Sequence, residues 1–438
     1  MNTTTCIIST WTALLQQFFP AFTAPGAQIF LALVSGWVLC IGRRTITGIV
    51  PFADPQGRHA HDAFHRFLPD ARWDMNVLWK LLTVLLVKTF ASQGVIELDL
   101  DDTLFHRWGR KVCGAGWWRD AVRSTRHRTV YAWGLNLVVL TLRVYPPWGG
   151  EPLGLPILMR LHRKGGESLI ELAQAMLQPL AGWLGERTFR LHADGFYATL
   201  AGSIGRQDPV RIHLVSRMRR DAVLYEPLPK TRRKKGQRGR PRTKGRRLST
   251  PEQMARRVRS WRPVTTVERG KVRRRLVYTR EVLWYRVSKT PVLLVISRDP
   301  QGKERDDFFF TTDVSRTAEQ VIAGFAGRWS IEDTFRNTKQ FVGGQEPQTW
   351  KGQGPERAAM LSLWLGSLVW LWFLQQPNRA HKVTGPAWYP GKTHPSFQDA
   401  LAALRRHLWS QRIKTMFGES LGHTQNLAVL IEALSRAA

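Results

Sequence analysis

Two hydrophobic periods run along this chain, and the switch between them divides it. From residue 1 to about 92, apolar positions recur at helical spacing, with helices expected over residues 27–41 and 74–89. From residue 95 the period falls to two. Residues 95–100 alternate and run into Asp101-Asp102-Thr103. Residues 129–144, rich in β-branched and aromatic side chains, read as a second strand, and residues 157–161, after Pro156, as a third. Leu169, Leu172, Ala173, Met176, Leu180 and Leu184 then mark a helix over 167–184, with a kink at Pro179. Residues 188–193 alternate again and deliver Asp194-Gly195.

Strand, strand, strand, helix, strand is the opening order of a ribonuclease-H-like α/β fold, a mixed sheet flanked by helices. In that fold the first and fourth strands are neighbours at the sheet centre, so carboxylates at their ends meet. Residues 221–306 interrupt the pattern as a basic, β-rich insertion, with strands expected over 273–285 and 292–297. Its first part, residues 230–247, is dominated by Lys and Arg and holds no aliphatic residue, so it cannot bury a core. Arg238-Gly239-Arg240-Pro241-Arg242 has the form of a minor-groove hook or of a phosphate-neutralising loop. A strand at 308–312 returns the chain to the sheet. The expected organisation is therefore 1–92 helical, 93–220 and 307–375 the two parts of a catalytic domain, 221–306 the insertion, and 376–438 a helical C-terminal region.

Charge adds a partner. The net charge of +32, from 65 Lys and Arg against 33 Asp and Glu, opposes compaction unless a polyanion neutralises it, which points to nucleic acid. Cys6, Cys40 and Cys113 have no paired spacing, which fits a reducing cytoplasm. Residues 1–16 lack the charged-then-apolar order of a secretory leader. Residues 358–374 carry no charge, but with three Trp, Gly366 and Ser367 they read as a buried core helix and not a membrane span. His59, His61 and His65 lack an evident fourth ligand and read as surface imidazoles.

The candidate chemistry lies between Phe325 and Lys339. On a single helix Phe325, Arg328, Glu332, Arg336 and Lys339 would share one stripe. One carboxylate among cations suits a metal ligand beside a phosphate backbone; ion pairs from Arg328 and Arg336 to Glu332 on an exposed face are the plain alternative. Phosphodiester chemistry on two Mg²⁺ ions needs a few carboxylates from separate elements. Asp101, Asp194 and Glu332 suit that role, although each also suits a turn or a cap. For the first acid, Asp102 is adjacent to Asp101, and Asp99 shares its strand face.

On these residues the chain resembles the bacterial insertion-sequence transposases of the DDE class, whose third acid lies in a Tyr-x-x-Arg-x-x-x-Glu-x-x-x-x-x-x-Lys signature. Arg328, Glu332 and Lys339 match the spacing, Leu100-Asp101-Asp102-Thr103 resembles the first-acid motif and His192-Ala193-Asp194-Gly195 the second. Phe325 replaces the Tyr, and Ser330 could cap a fresh helix and break the stripe. The resemblance spans about residues 95–375. It implies a bacterial, nucleoid-associated DNA enzyme in which Asp101, Asp194 and Glu332 hold Mg²⁺, with Mn²⁺ able to substitute. Arg328, Arg336 and Lys339 would contact phosphates, with Arg238, Arg240 and Arg242 adding affinity. Water would cut each element end, and the freed 3′ hydroxyl would attack target DNA. Pairing two double-stranded ends implies a dimer on DNA, and the N-terminal helices are the candidate reader of the terminal repeats. A ribonuclease-H-like nuclease of branched DNA and a non-catalytic basic DNA-binding protein are the rival readings.

Overall fold

A computed structural model describes residues 10–204, 211–228, 242–377, 390–417 and 425–437. The chain opens with helices α1 (Trp11–Gln16), α2 (Ala24–Leu39), α3 (Ile46–Ala53), α4 (His61–Phe67) and α5 (Met75–Phe90). Thr10, Thr23, Thr45 and Asp74 each start one of them by accepting a backbone N–H from the first turn. Strands β1 (Ile96–His106), β2 (Gly116–Arg119), β3 (Tyr131–Val144) and β4 (Leu153–His162) follow. Helices α6 (Leu169–Leu177) and α7 (Pro179–Leu184) divide at Pro179, as the sequence suggests. Next come β5 (Thr188–Ala193), a 3₁₀ turn over Gly195–Leu200, α8 (Ala201–Ile204) and β6 (Arg211–Arg217).

The sheet order is β4–β3–β1–β5–β6, with β2 sharing the outer edge of β3. β1 is antiparallel to β3 and parallel to β5, and β5 is parallel to β6, which is the ribonuclease-H-like arrangement. Pro156 sits at a register shift in β4, and β4 pairs only with β3, so the missing N–H costs no ladder bond. That covered edge is satisfied from the helices: Thr83 donates to the Ile157 carbonyl at 2.9 Å and Ser367 to that of Pro156 at 2.7 Å.

The insertion extends this same sheet. After α9 (Pro251–Arg257), strands β7 (Arg262–Glu268), β8 (Lys271–Val282), β9 (Val292–Arg298) and β10 (Asp307–Thr311) form an antiparallel series in which each pairs with the next, and β10 pairs with β6. β7 is not foreseen by the sequence reading, because its alternate positions are Arg, Thr and Glu around Pro263 and only Val264 and Thr266 are buried.

Helices α10 (Ala318–Gly327), α11 (Trp329–Gln340), α12 (Gly354–Leu374), α13 (Phe397–Phe417) and α14 (Gln425–Arg436) complete the chain. Among the described residues α12 alone is long and apolar enough to cross a membrane, and 94% of its most apolar window is buried inside the protein. It packs against β4, α5, α11 and α13. Arg357 in its first turn donates to the Leu68, Ala71 and Trp73 carbonyls, which ties the N-terminal helices to it. One hydrophobic core runs from Trp11 through the sheet to Leu408.

Candidate active site

The site begins where β1 outruns its parallel neighbour. β1 is paired with β5 up to Leu100 opposite Ala193, and beyond that point only with β3, as far as His106 opposite Gly134. Asp101 therefore lies in mid-strand, at the point where one edge of β1 becomes free. In the parallel register Glu97 stands beside Arg190 and Asp99 beside His192. Asp101 and Asp194 continue the same alternation on the same face, about 5 Å apart at the backbone. Asp194 starts the 3₁₀ turn, accepting the Gly195 N–H at 2.6 Å, and its carbonyl accepts from Ser216 at 3.0 Å.

α11 brings the third acid onto this face. Ser330 donates to Asp99 at 3.0 Å, and Thr334 donates to the Gly154 carbonyl of β4 at 2.5 Å. Gly154 permits this approach, since a Cβ there would lie 3.0 Å from the Ser330 carbonyl oxygen. Asp99 is fully buried and bonded to Arg143 through both carboxylate oxygens. Its position beneath α11 makes it an anchor, which removes it from the choice of first acid. His192, also fully buried, is held well below its ordinary pKa by burial and by the nearby Arg143 charge.

Phe325 and Lys339 do not share one helix. The chain tightens to i→i+3 bonds on both sides of Arg328, ending α10 and starting α11 there, so Phe325 leaves the stripe. Ser330 is not the cap. Phe325 packs on Phe309 instead, with ring centroids 5.0 Å apart, while the Arg217 and Arg328 guanidinium groups lie over its ring.

Arg328 is turned inward. It donates to Asp101 Oδ2 at 2.5 Å and to Glu332 Oε1 at 2.9 Å. One planar guanidinium touching both keeps these two acids within about a nanometre of each other. Burial raises the pKa of Asp101; Arg328 opposes that shift, and the Asp194 charge adds to it. Glu332 is raised by burial in the same way, again opposed by Arg328. Asp102 points to the opposite strand face, where Tyr197 donates to it at 3.1 Å; burial and the Asp101 charge raise it to about 6.

The other sequence candidates separate. Arg336 is exposed and pairs with Asp333 at 2.7 Å, not with Glu332. Lys339 lies 5.7 Å over the Phe105 ring, and burial lowers it to about 8. Arg242 is exposed, whereas Arg238 and Arg240 lie outside the described residues. The His61 and His65 rings lie 4.6 Å apart, tilted at 46°, and His59 bonds to Asp54 at 3.1 Å.

Asp194 opens into a cleft of ≈ 430 Å³ whose walls also include Arg217, Arg269, Phe325, Arg328 and Trp329; Asp101 and Glu332 do not line it and reach it through their bonds to Arg328. Arg269 is the contribution of the insertion. It sits with Gly270 at the tip of the β7–β8 hairpin, both at positive φ (50° and 70°), the geometry of a tight two-residue turn. Its guanidinium lies 3.7 Å over the Trp329 ring, and its charge favours ionised Glu332. Sequence reasoning missed Arg217, Arg269 and Tyr197. The Arg-Gly turn was visible as a hairpin signal, but its target 60 residues away was not.

Three carboxylates, two of them bonded to one guanidinium, form a hard-oxygen donor set that fits a divalent cation. The side chains must close to hold one, since among the described residues no three acidic, His or Cys groups already converge at coordinating distance. Arg328 fills the space between two of them.

The family model described as DDE superfamily endonuclease matches residues 17–289, a span that includes Asp101, Asp102 and Asp194 and ends before Glu332. No curated protein matches the chain. With its fold, its paired aspartates and more than half its length accounted for, the chain belongs to the DDE superfamily of endonucleases, metal-dependent enzymes that cut DNA.

Proposed function

We propose that this protein is a DNA transposase that cuts its element's ends and joins them to target DNA. What supports this reading is that Arg328 bonds both Asp101 and Glu332 while Asp194 follows the β5 register beside β1, with Arg328, Glu332 and Lys339 at the signature spacing. Asp101 is the first acid, because it shares Arg328 with Glu332 while Asp102 faces Tyr197. Two Mg²⁺ ions, or Mn²⁺ in their place, would be held by these three carboxylates and would stabilise charge on the attacking and leaving oxygens. Phosphates entering the cleft draw Arg328 away from the acids, so one guanidinium serves the empty and the loaded site in turn. Arg269, Arg336 and Lys339 grip the backbone on either side, and Arg238, Arg240 and Arg242 add sequence-independent attraction.

In the first step a water oxygen bonds to phosphorus and the 3′ oxygen leaves with a proton. In the second, that hydroxyl attacks a target phosphodiester, forming one bond and breaking one, with no covalent enzyme intermediate. The N-terminal helices read the terminal repeats, and two protomers pair two ends in the bacterial cytoplasm.

The test supplies DNA carrying the inverted repeats that flank the gene, beside a scrambled duplex of equal length. Metal-dependent nicking at the repeat boundary and joined products are expected from the wild type and not from Glu332→Gln. Cutting of both duplexes alike, or preference for branched DNA, would make the protein a structure-selective nuclease. Binding with equal inactivity in wild type and variant would make it a DNA-binding protein only.

A further inference from the structure

At the far end of β1, β2 and the start of β3 form a ribbon whose outer face is aromatic. Trp117 pairs with Trp133 and Arg119 with Tyr131, so these four side chains share one face. Trp117 is 60% exposed and Tyr131 61%. The Trp117 and Trp133 rings meet edge to face at 5.9 Å, and Trp133 Nε1 donates to the Gly109 carbonyl at 3.0 Å. Trp108, the residue before that acceptor, has 86% of its surface exposed. Burial explains Trp118 on the inner face, packed on His162 under Lys164. It does not explain Trp108, Trp117 or Tyr131, and clustered aromatics this exposed mark a binding surface.

The charge of the segment names the partner. From Arg107 to Tyr131 there are seven Lys or Arg and one acid, Asp120. Asp120 is 4% exposed, close to His106 Nε2 at 2.9 Å and accepting the Val122 and Arg123 N–H groups at 3.0 and 3.1 Å. The outward field is therefore positive. Cations interleaved with open aromatic faces suit a nucleic-acid strand whose bases are free to stack. Bases inside a duplex have no free face to offer. The ribbon lies five residues beyond Asp101 along β1, roughly 17 Å, with Lys339 between them over Phe105.

We propose that this ribbon is a platform for unpaired nucleotides, on which a single DNA strand leaving the acidic cleft stacks its bases against Trp108, Trp117 and Tyr131. Its position relative to the cleft rests on the DNA-cutting reading above. Stacking itself does not, and the test therefore measures binding without divalent metal. Fluorescence anisotropy compares a blunt duplex with the same duplex bearing a single-stranded tail of about eight nucleotides, for wild type, the double variant Trp108→Ala/Trp117→Ala, and Trp117→Phe.

The wild type is expected to bind the tailed DNA about tenfold more tightly than the blunt. The double variant should lose that preference with its blunt affinity and unfolding temperature unchanged, and Trp117→Phe should keep most of it. Equal wild-type affinities for the two DNAs, or a variant that weakens both in proportion, would overturn the platform. Neither result would touch the cleavage reading, which Glu332→Gln tests separately.

Discussion

Arg328 answers two of the three acids with one guanidinium, and this determines what its loss does. Arg328→Gln removes the guanidinium bonded to both Asp101 and Glu332 and leaves only the more distant Arg269 charge acting on Glu332. The metal-free variant should lose about 1–3 kcal/mol of stability in denaturant titrations. Divalent metal should then stabilise the variant more than the wild type. A second residue-scale expectation concerns Lys339, lowered by burial from 10.5 to about 8. The folded protein gives up this proton as pH rises through about 8, while the unfolded chain keeps it to about 10.5. Its contribution to stability is therefore absent below pH 8 and grows above it. Phosphate contact needs the cation and runs the other way, so wild-type DNA affinity should fall between pH 7 and 9. Lys339→Arg should flatten that fall in an anisotropy titration. At this scale the sequence exposed the acids. The Asp-x-Thr spacing favours Asp101 over Asp99 and Asp102, and the partners then separate the three: Arg143 bonds Asp99, Tyr197 donates to Asp102, and Arg328 links Asp101 to Glu332.

At the scale of elements, the catalytic geometry depends on where α10 and α11 lie on the sheet. Small residues let them approach: a Cβ at Gly327 would lie 2.7 Å from Arg143, and one at Gly324 2.8 Å from His192. Ser330 and the buried Asp99–Arg143 pair then fix α11. Asp99→Asn leaves Arg143 buried without its anion. It should cost about 3 kcal/mol in thermal or chemical unfolding and weaken cleavage, although Asp99 touches no DNA. β1, β3, β4, β5, β8, β9 and β10 were legible because β-branched and apolar residues recur along them, whereas β2, β6 and β7 were not read as strands. The break between α10 and α11 was legible only in part: Ser330 marked a possible fresh helix, but the turn tightens two residues earlier, at Arg328. The reach of the β7–β8 hairpin back to Trp329 was hidden, being a contact between distant segments.

Over the whole molecule, the excess of 32 positive charges predicts binding dominated by phosphate neutralisation. If residues 230–247 meet about six phosphates, the logarithm of affinity should fall with the logarithm of salt at a slope of about −5 or steeper. Replacing the Lys and Arg of that stretch by Ser should make the slope shallower, with cleavage retained at low salt. The central claim is that β1, β5 and α11 gather three distant carboxylates into one divalent-metal site. Electron paramagnetic resonance of bound Mn²⁺ tests this most directly. The wild type should hold two ions with a spin-coupled spectrum, lost in Asp101→Asn, Asp194→Asn and Glu332→Gln variants that stay folded. Identical Mn²⁺ binding by the wild type and all three variants would contradict the account.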